Sequence, residues 1–361
     1  MKRILQELRN TPIFWLLALA PAVLIAEHVV PNAHTLLFFL SVAAIVPLAA
    51  LLSRATESVA AKTGDAIGGL LNATLGNLTE LVIALTALRA GMFDLVKASI
   101  AGAIVANTLF MLGASFLLGG LRHRVQEFNP LGARLQTNML FLATVTLFVP
   151  SMLAGAKDLQ ATTFLADLSV WLSILLIVTY ALGLLFSLGT HREFFGGKAH
   201  GDDEEKPWPL GAAVAALAGA TVLIALVSEV FVESVQQAAE QLGMSPAFVG
   251  FVVVALVGGA AEAMTAFSAA RKNRLDLSVG IALGSSAQIA LFVAPVLVLA
   301  SHFVAPAPMD LSFTPGQVVA VFVSMLAAAL AAMSGRSAWF TGAQLIAVYG
   351  VFATTLYLLP H

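Results

Sequence analysis

Apolar residues gather in eleven runs, at about 13–30, 34–53, 66–89, 96–120, 135–154, 167–188, 209–232, 246–270, 277–301, 315–333 and 338–359. Each nears or exceeds the roughly 20 residues that an α-helix needs to cross a bilayer. The breaks carry proline, glycine and charge, as at Asn129-Pro130 and Pro306-Ala307-Pro308. The pattern predicts an all-α polytopic membrane protein with eleven transmembrane helices. The first run, Ile13 to Val30, follows MKRILQELRNTP and has no small-residue cleavage site, so it reads as a retained helix rather than a secretory signal.

The positive residues then choose an orientation. With the N-terminus in the cytoplasm, the cytoplasmic segments hold Lys2, Arg3, Arg9, Arg54, Lys62, Arg122, Arg124, Arg134, Arg192, Lys198, Lys206, Arg271, Lys272, Arg274 and Arg336. The outer segments hold only Arg89, Lys97 and Lys157. Such a bias supports both the helix count and a C-terminus outside. One long polar linker, residues 189–208, falls on the cytoplasmic side. It divides the chain into an N-terminal segment with a peripheral first helix (1–33), a first five-helix unit (34–188) and a second (209–361).

The two units repeat one another. At an offset of 182 residues Gly76 meets Gly258, Glu80 meets Glu262, Arg89 meets Arg271, Asp94 meets Asp276 and Gly102 meets Gly284, without a gap. Apolar matches are easy in such a chain; Glu, Arg, Asp and two glycines at one offset are not. Five helices per unit make the second enter from the opposite face, so the repeats are inverted. That build recurs in secondary transporters, with the site near the midplane where the repeats meet.

Glu80 and Glu262 lie inside long apolar runs, and a carboxylate at bilayer depth by default marks an ion or proton pathway. Each follows a glycine by four residues, and Gly76-Asn77 and Gly258-Gly259 loosen the helix at that depth. Carboxylates with freed carbonyls make a hard oxygen site, of the kind that gives Ca²⁺ about 6–8 ligands. Asn77, Asn107 and Gln288 can add amide oxygens or hold the glutamates. Ser285, Ser286 and Thr79 are weaker candidates, because such hydroxyls often bond back to their own helix. Glu57 and Glu229, near helix ends, are candidates for attracting cations to the two mouths. The linker run Asp202-Asp203-Glu204-Glu205 is a candidate cytoplasmic cation site. Arg89 with Asp94, and Arg271 with Asp276, look like pairs that brace the helix turns.

Composition narrows the classes. Hydrophobic residues make up 59% and charged residues 11%, with a mean hydropathy of +0.93. The net charge of -2 offers no basic face to nucleic acid, and the absence of cysteine excludes disulfides and thiolate chemistry. No HExxH, GxGD or Asp-rich prenyl-diphosphate motif favours an intramembrane enzyme. No cofactor is expected, and the partners expected are membrane lipid, the transported ions and, where the chain self-associates, further copies in a homo-oligomer.

Residues 56–88, TESVAAKTGDAIGGLLNATLGNLTELVIALTAL, resemble the first signature repeat of the Ca²⁺/H⁺ antiporters, the cation/proton exchanger branch of the Ca²⁺/cation antiporter superfamily. Residues 262–295 resemble the second, and the likeness spans nearly the whole chain. The resemblance implies one peripheral helix plus two inverted five-helix halves, and exchange of cytoplasmic Ca²⁺ for external protons by alternating access. It makes Glu80 and Glu262 the residues that carry Ca²⁺ and H⁺ in turn, with Gly76, Gly258, Asn77, Asn107 and Gln288 around the metal. The second repeat of the family usually reads Gly-Asn-Ala-Ala-Glu-His, whereas here Gly259 and Ala263 replace the Asn and His. Ala103 and Ala106 stand where serines are usual. The alternative on the same fold is a Na⁺/Ca²⁺ or Na⁺/H⁺ exchanger, which would need further intramembrane carboxylates or hydroxyls. The short linker and the absence of a targeting extension suggest a prokaryotic plasma membrane.

Overall fold

The computed structural model describes residues 11–63, 65–154, 159–191 and 207–359. The acidic run Asp202–Glu205 therefore lies outside the described residues. Among those described, nine helices are long and apolar enough to cross a membrane, and two bent pairs bring the spans to eleven.

In chain order the helices are α1 (Leu19–Val29, led by the 3₁₀ turn Pro12–Ala18), α2 (His34–Thr63), α3 (Asp65–Leu75), α4 (Leu78–Arg89), α5 (Phe93–His123) and α6 (Pro130–Leu153). They continue as α7 (Leu159–Leu184), α8 (Leu210–Leu242), α9 (Pro246–Gly258), α10 (Ala260–Arg271), α11 (Leu275–Val304), α12 (Pro315–Ala332) and α13 (Trp339–Leu358). Local chemistry sets several ends. The side chain of Asn129 accepts from the N–H groups of Leu131 and Gly132 ahead of α6, and Thr314 and Gln317 form a capping box on α12. Gly243, at φ 65°, takes the left-handed turn that ends α8.

Burial separates the core from the periphery. The most apolar windows of α5 and α11 are 83% and 61% buried, against 17% for the first helix and for α13. α5 and α11 begin 182 residues apart, at Phe93 and Leu275, and so do α4 and α10, at Leu78 and Ala260. The repeat read in the sequence is thus a repeat of helices, and its central members are the pairs α4–α5 and α10–α11. The halves also touch backbone to backbone: a methyl group added at Gly102 of α5 would lie 2.1 Å from the carbonyl oxygen of Phe251 in α9. Beside this core, α2 and α8 form the most extensive helix pair, with Phe38 stacked on Phe231 at 5.6 Å.

Two features depart from the sequence reading. α2 runs ten residues past its apolar stretch, to Thr63, carrying Arg54, Glu57 and Lys62 on helix; hydropathy marks only the part that meets lipid. A short antiparallel ribbon also joins β1 (Val125–Glu127) to β2 (Arg336–Ala338), where two helix-to-helix connections pair their backbones instead of leaving them bare.

The connections sort into two faces. The ribbon, the His123 ring on the Arg271 carbonyl at 2.9 Å, and Arg134 on the Met333 carbonyl gather one set of loops. On the other face Arg89 approaches Glu229 at 3.8 Å, and Lys97 donates to Asp310 at 2.6 Å. The pairs expected within each turn do not form: no ion pair joins Arg89 to Asp94 among the described residues, and Asp276 accepts from the backbone N–H of Asn129.

Asp310 anchors the loop between α11 and α12. Burial alone would raise its carboxyl, but hydrogen bonds from Lys97 and Ser312 and the Lys97 charge outweigh that and hold it below the usual carboxylate range. A depressed carboxyl contributes stability above its unfolded value near ~4 and loses it as the pH falls through the folded value. Asp310→Asn is therefore expected to lower unfolding stability at neutral pH by about 1 kcal/mol. The difference from wild type should shrink only below about pH 4. Thermal unfolding of detergent-purified protein at several pH values checks this.

Candidate functional site

Both broken spans give way where the sequence places glycine. The axis turns by 41° between α3 and α4, across Gly76-Asn77, and by 59° between α9 and α10, at Gly259. A break at this depth is tolerated only where the freed backbone is buried in protein or lines a cavity. Each new helix then carries its glutamate as the third residue, Glu80 on α4 and Glu262 on α10. There the unpaired N–H groups and the positive end of the helix dipole favour negative charge.

The breaks cross over. A methyl group at Gly258 would lie 2.9 Å from Cγ of Glu80, and one at Gly259 would lie 3.8 Å from its Oε1. Reciprocally, a methyl group at Gly76 would lie 3.7 Å from Oε1 of Glu262 and 3.6 Å from Oε1 of Gln288. Each glutamate of one repeat therefore sits against the glycine break of the other.

Neutral polar groups complete the cluster. Ser285 donates to Oδ1 of Asn77 at 2.7 Å and accepts from Nδ2 of Asn107 at 3.1 Å. The amide oxygen of Asn107 faces the second break, where a methyl group at Gly259 would lie 3.5 Å from it. Asn77, Asn107, Ser285 and Gln288 are all buried. Four buried atoms here make no hydrogen bond within the protein: Oε1 of Glu80, Oε2 of Glu262, Nδ2 of Asn77 and Nε2 of Gln288. An unsatisfied buried carboxylate oxygen is destabilising by a few kcal/mol unless a proton or cation meets it.

The structure thus brings Gly76, Asn77, Glu80, Asn107, Gly258, Glu262 and Gln288 into one cluster. It leaves out Glu57 and Glu229, which stand on α2 and α8, about half exposed, within 3.9 Å of Arg54 and 3.8 Å of Arg89 respectively. Among the described residues no group of three or more His, Cys, Asp or Glu side chains gathers at one point.

Sequence reasoning underrated two features. Ser286 does bond back to its own helix, at the Ala282 carbonyl, but Ser285 of the second unit reaches across and links two amides of the first, Asn77 and Asn107. The π-helical segments Ala106–Met111 and Ile289–Val293 were also not foreseen. They occur at matching places in α5 and α11, next to Asn107 and Gln288, and such widened turns recur at functional sites.

The fold and the crossed carboxylates define a polytopic helical membrane protein of secondary-transporter build. The family described as "Sodium/calcium exchanger protein" matches residues 33–189 and 212–358, and this chain belongs to it. The chain is 39% identical over 351 residues to a Ca²⁺/H⁺ antiporter of Synechocystis sp. (strain ATCC 27184 / PCC 6803 / Kazusa), covering 93% of this chain and 94% of that one. It is 40% identical over 326 residues to the Ca²⁺/H⁺ antiporter ChaA of Bacillus subtilis (strain 168), covering 90% and 92%. Among solved structures, native YfkE is similar with a TM-score of 0.83 at 36% identity, covering 96% of this chain and all of that one.

Ser285→Ala removes one donor and one acceptor from a buried chain of amides. It is expected to lower unfolding stability by about 1–3 kcal/mol. Ser286→Ala, which loses only a bond within its own helix, should change it by less than about half of that. Thermal unfolding of the two variants side by side checks the difference.

Proposed function

We propose that this chain is a secondary antiporter that exchanges cytoplasmic Ca²⁺ for external H⁺, with Glu80 and Glu262 taking Ca²⁺ or protons in turn. The observation that carries this reading is the pair of half-buried glutamates at crossed helix breaks, each with one buried oxygen that no group among the described residues satisfies. Relatives named as Ca²⁺/H⁺ antiporters over almost their full length support it.

The coupling follows from charge. With two protons bound, both side chains are neutral and the buried site accepts them. With Ca²⁺ bound, two carboxylates match its charge, and Asn77, Asn107, Gln288 and carbonyls at the breaks can fill the coordination that a hard divalent cation demands. The empty site with two bare charges is disfavoured by desolvation and mutual repulsion, so it seldom crosses. That penalty is what ties the outward flow of one ion to the inward flow of the other. Each proton moving down one pH unit supplies about 1.4 kcal/mol, and a membrane potential adds about 2.3 kcal/mol per net charge per 100 mV.

The units 34–188 and 209–361 would exchange access by rocking about this site. The charge bias supports an N-terminus inside and a C-terminus outside.

The sodium alternative draws no support from the cluster, which offers two carboxylates and neutral amides among the described residues. In sodium-free vesicles an imposed pH gradient should drive Ca²⁺ uptake by wild type. Glu80→Gln and Glu262→Gln should each reduce it by at least about 100-fold, a loss of roughly 2.7 kcal/mol, while still inserting in the membrane. Glu57→Gln and Glu229→Gln should keep most of it. Near-normal exchange in either central variant, or uptake that needs a sodium gradient, would refute the assignment.

A further inference from the structure

We propose that the groove between the ends of α5 and α10 binds the headgroup of an anionic phospholipid. This goes beyond the transport reading, and its binding test stands whether or not the chain exchanges Ca²⁺. The groove, about 410 Å³, is lined by Arg122, Met264, Phe267, Ser268, Arg271 and Lys272. No acidic side chain lines it, and none of its three cations has an ion-pair partner among the described residues.

The repeat supplies an internal comparison. Arg89, the counterpart of Arg271, is met by Glu229 at 3.8 Å on the opposite face. Arg271 meets no acid among the described residues, and stands instead beside two further cations. Charge complementarity therefore calls for an anion from outside the chain. The order of groups says which kind. Arg271 and Lys272 end α10, while Met264 lies about two turns, or some 10 Å, further into the membrane on the same helix. Phe267 sits between these levels and contacts Phe110 with ring centres 6.2 Å apart. Cations at headgroup level over an apolar floor match a phospholipid, whereas a free phosphate would use only the outer half. Basic pockets between helices on the cytoplasmic face are where anionic headgroups bind.

The rim is fixed in advance. His123 holds the carbonyl of Arg271, and Gln126 donates to the carbonyl of Ala270 and to Oδ1 of Asn273, both at 2.9 Å. The end of α10, the helix that carries Glu262, is thus tied to the segment after α5. Neutralising the three cations would also remove a repulsion from the face through which Ca²⁺ would approach.

Native mass spectrometry of the detergent-purified full chain tests the proposal, with phosphatidylglycerol, phosphatidylcholine and inorganic phosphate added in turn. Wild type should retain one phosphatidylglycerol in preference to phosphatidylcholine, undisplaced by inorganic phosphate. Arg122→Gln, Arg271→Gln and Lys272→Gln should each weaken that binding about five-fold. Arg124→Gln, on the same face but outside the groove, should leave it unchanged. All four side chains are exposed, so unfolding is not expected, and an unchanged thermal midpoint checks that. Equal retention of the two lipids, displacement by inorganic phosphate, or an equal loss in the Arg124 variant would overturn the proposal.

Discussion

Everything distinctive in this molecule follows from placing two carboxylates where water is scarce and then denying them a partner. A buried carboxylate is tolerable when an arginine or lysine stands beside it. Among the described residues no ion pair joins a basic side chain to Glu80 or Glu262, and what stands around them is amide, hydroxyl and glycine. The site is therefore stable only when something mobile carries the missing positive charge. A resident counter-charge would make a stronger fold and a worse exchanger.

The glycines make that site geometrically available. Gly258 lets Glu80 press against the opposite break, where a side chain would collide with it, while Glu262 reaches Gly76 at ordinary contact distance. Further out, Gly102 lets α5 meet the backbone of α9. Close approach of this kind is how helices associate in a bilayer, where burial of apolar surface gives no drive. The same small residues thus serve packing at one level of the membrane and ion access at another.

Much of this architecture could be read from residues alone, for a physical reason. The bilayer imposes a length on apolar runs and a sign on loops, so eleven spans and two faces follow from hydropathy and from Lys and Arg. The Glu80/Glu262 pair was legible because a carboxylate at that depth has few structural uses. What could not be read were features set by three-dimensional contact. Ser285 looks in sequence like any helix serine, and only the crossing of α4 over α11 turns its hydroxyl toward Asn77. The π turns arise where helices must widen around that contact. Arg89 seemed destined for Asp94 because they are close in sequence, but α8 brings Glu229 to it.

At the site the repeats match in their carboxylates and differ in their neutral polar groups. At the same offset that superimposes the glutamates, Asn77 faces Gly259, Asn107 faces Ile289, Ser285 faces Ala103 and Gln288 faces Ala106. Each polar group is therefore supplied by one half only, and none is duplicated. A site built on strict two-fold symmetry would present the same ligands from both directions. This one presents two amides of the first half joined through the Ser285 hydroxyl of the second, with the Gln288 amide of the second beside them. The likeness between the halves is strict at the two carboxylates and at the helix breaks beneath them, and it is lost among the neutral polar groups, because a hydrogen-bonded chain of amide, hydroxyl and amide has a direction that a two-fold copy cannot share.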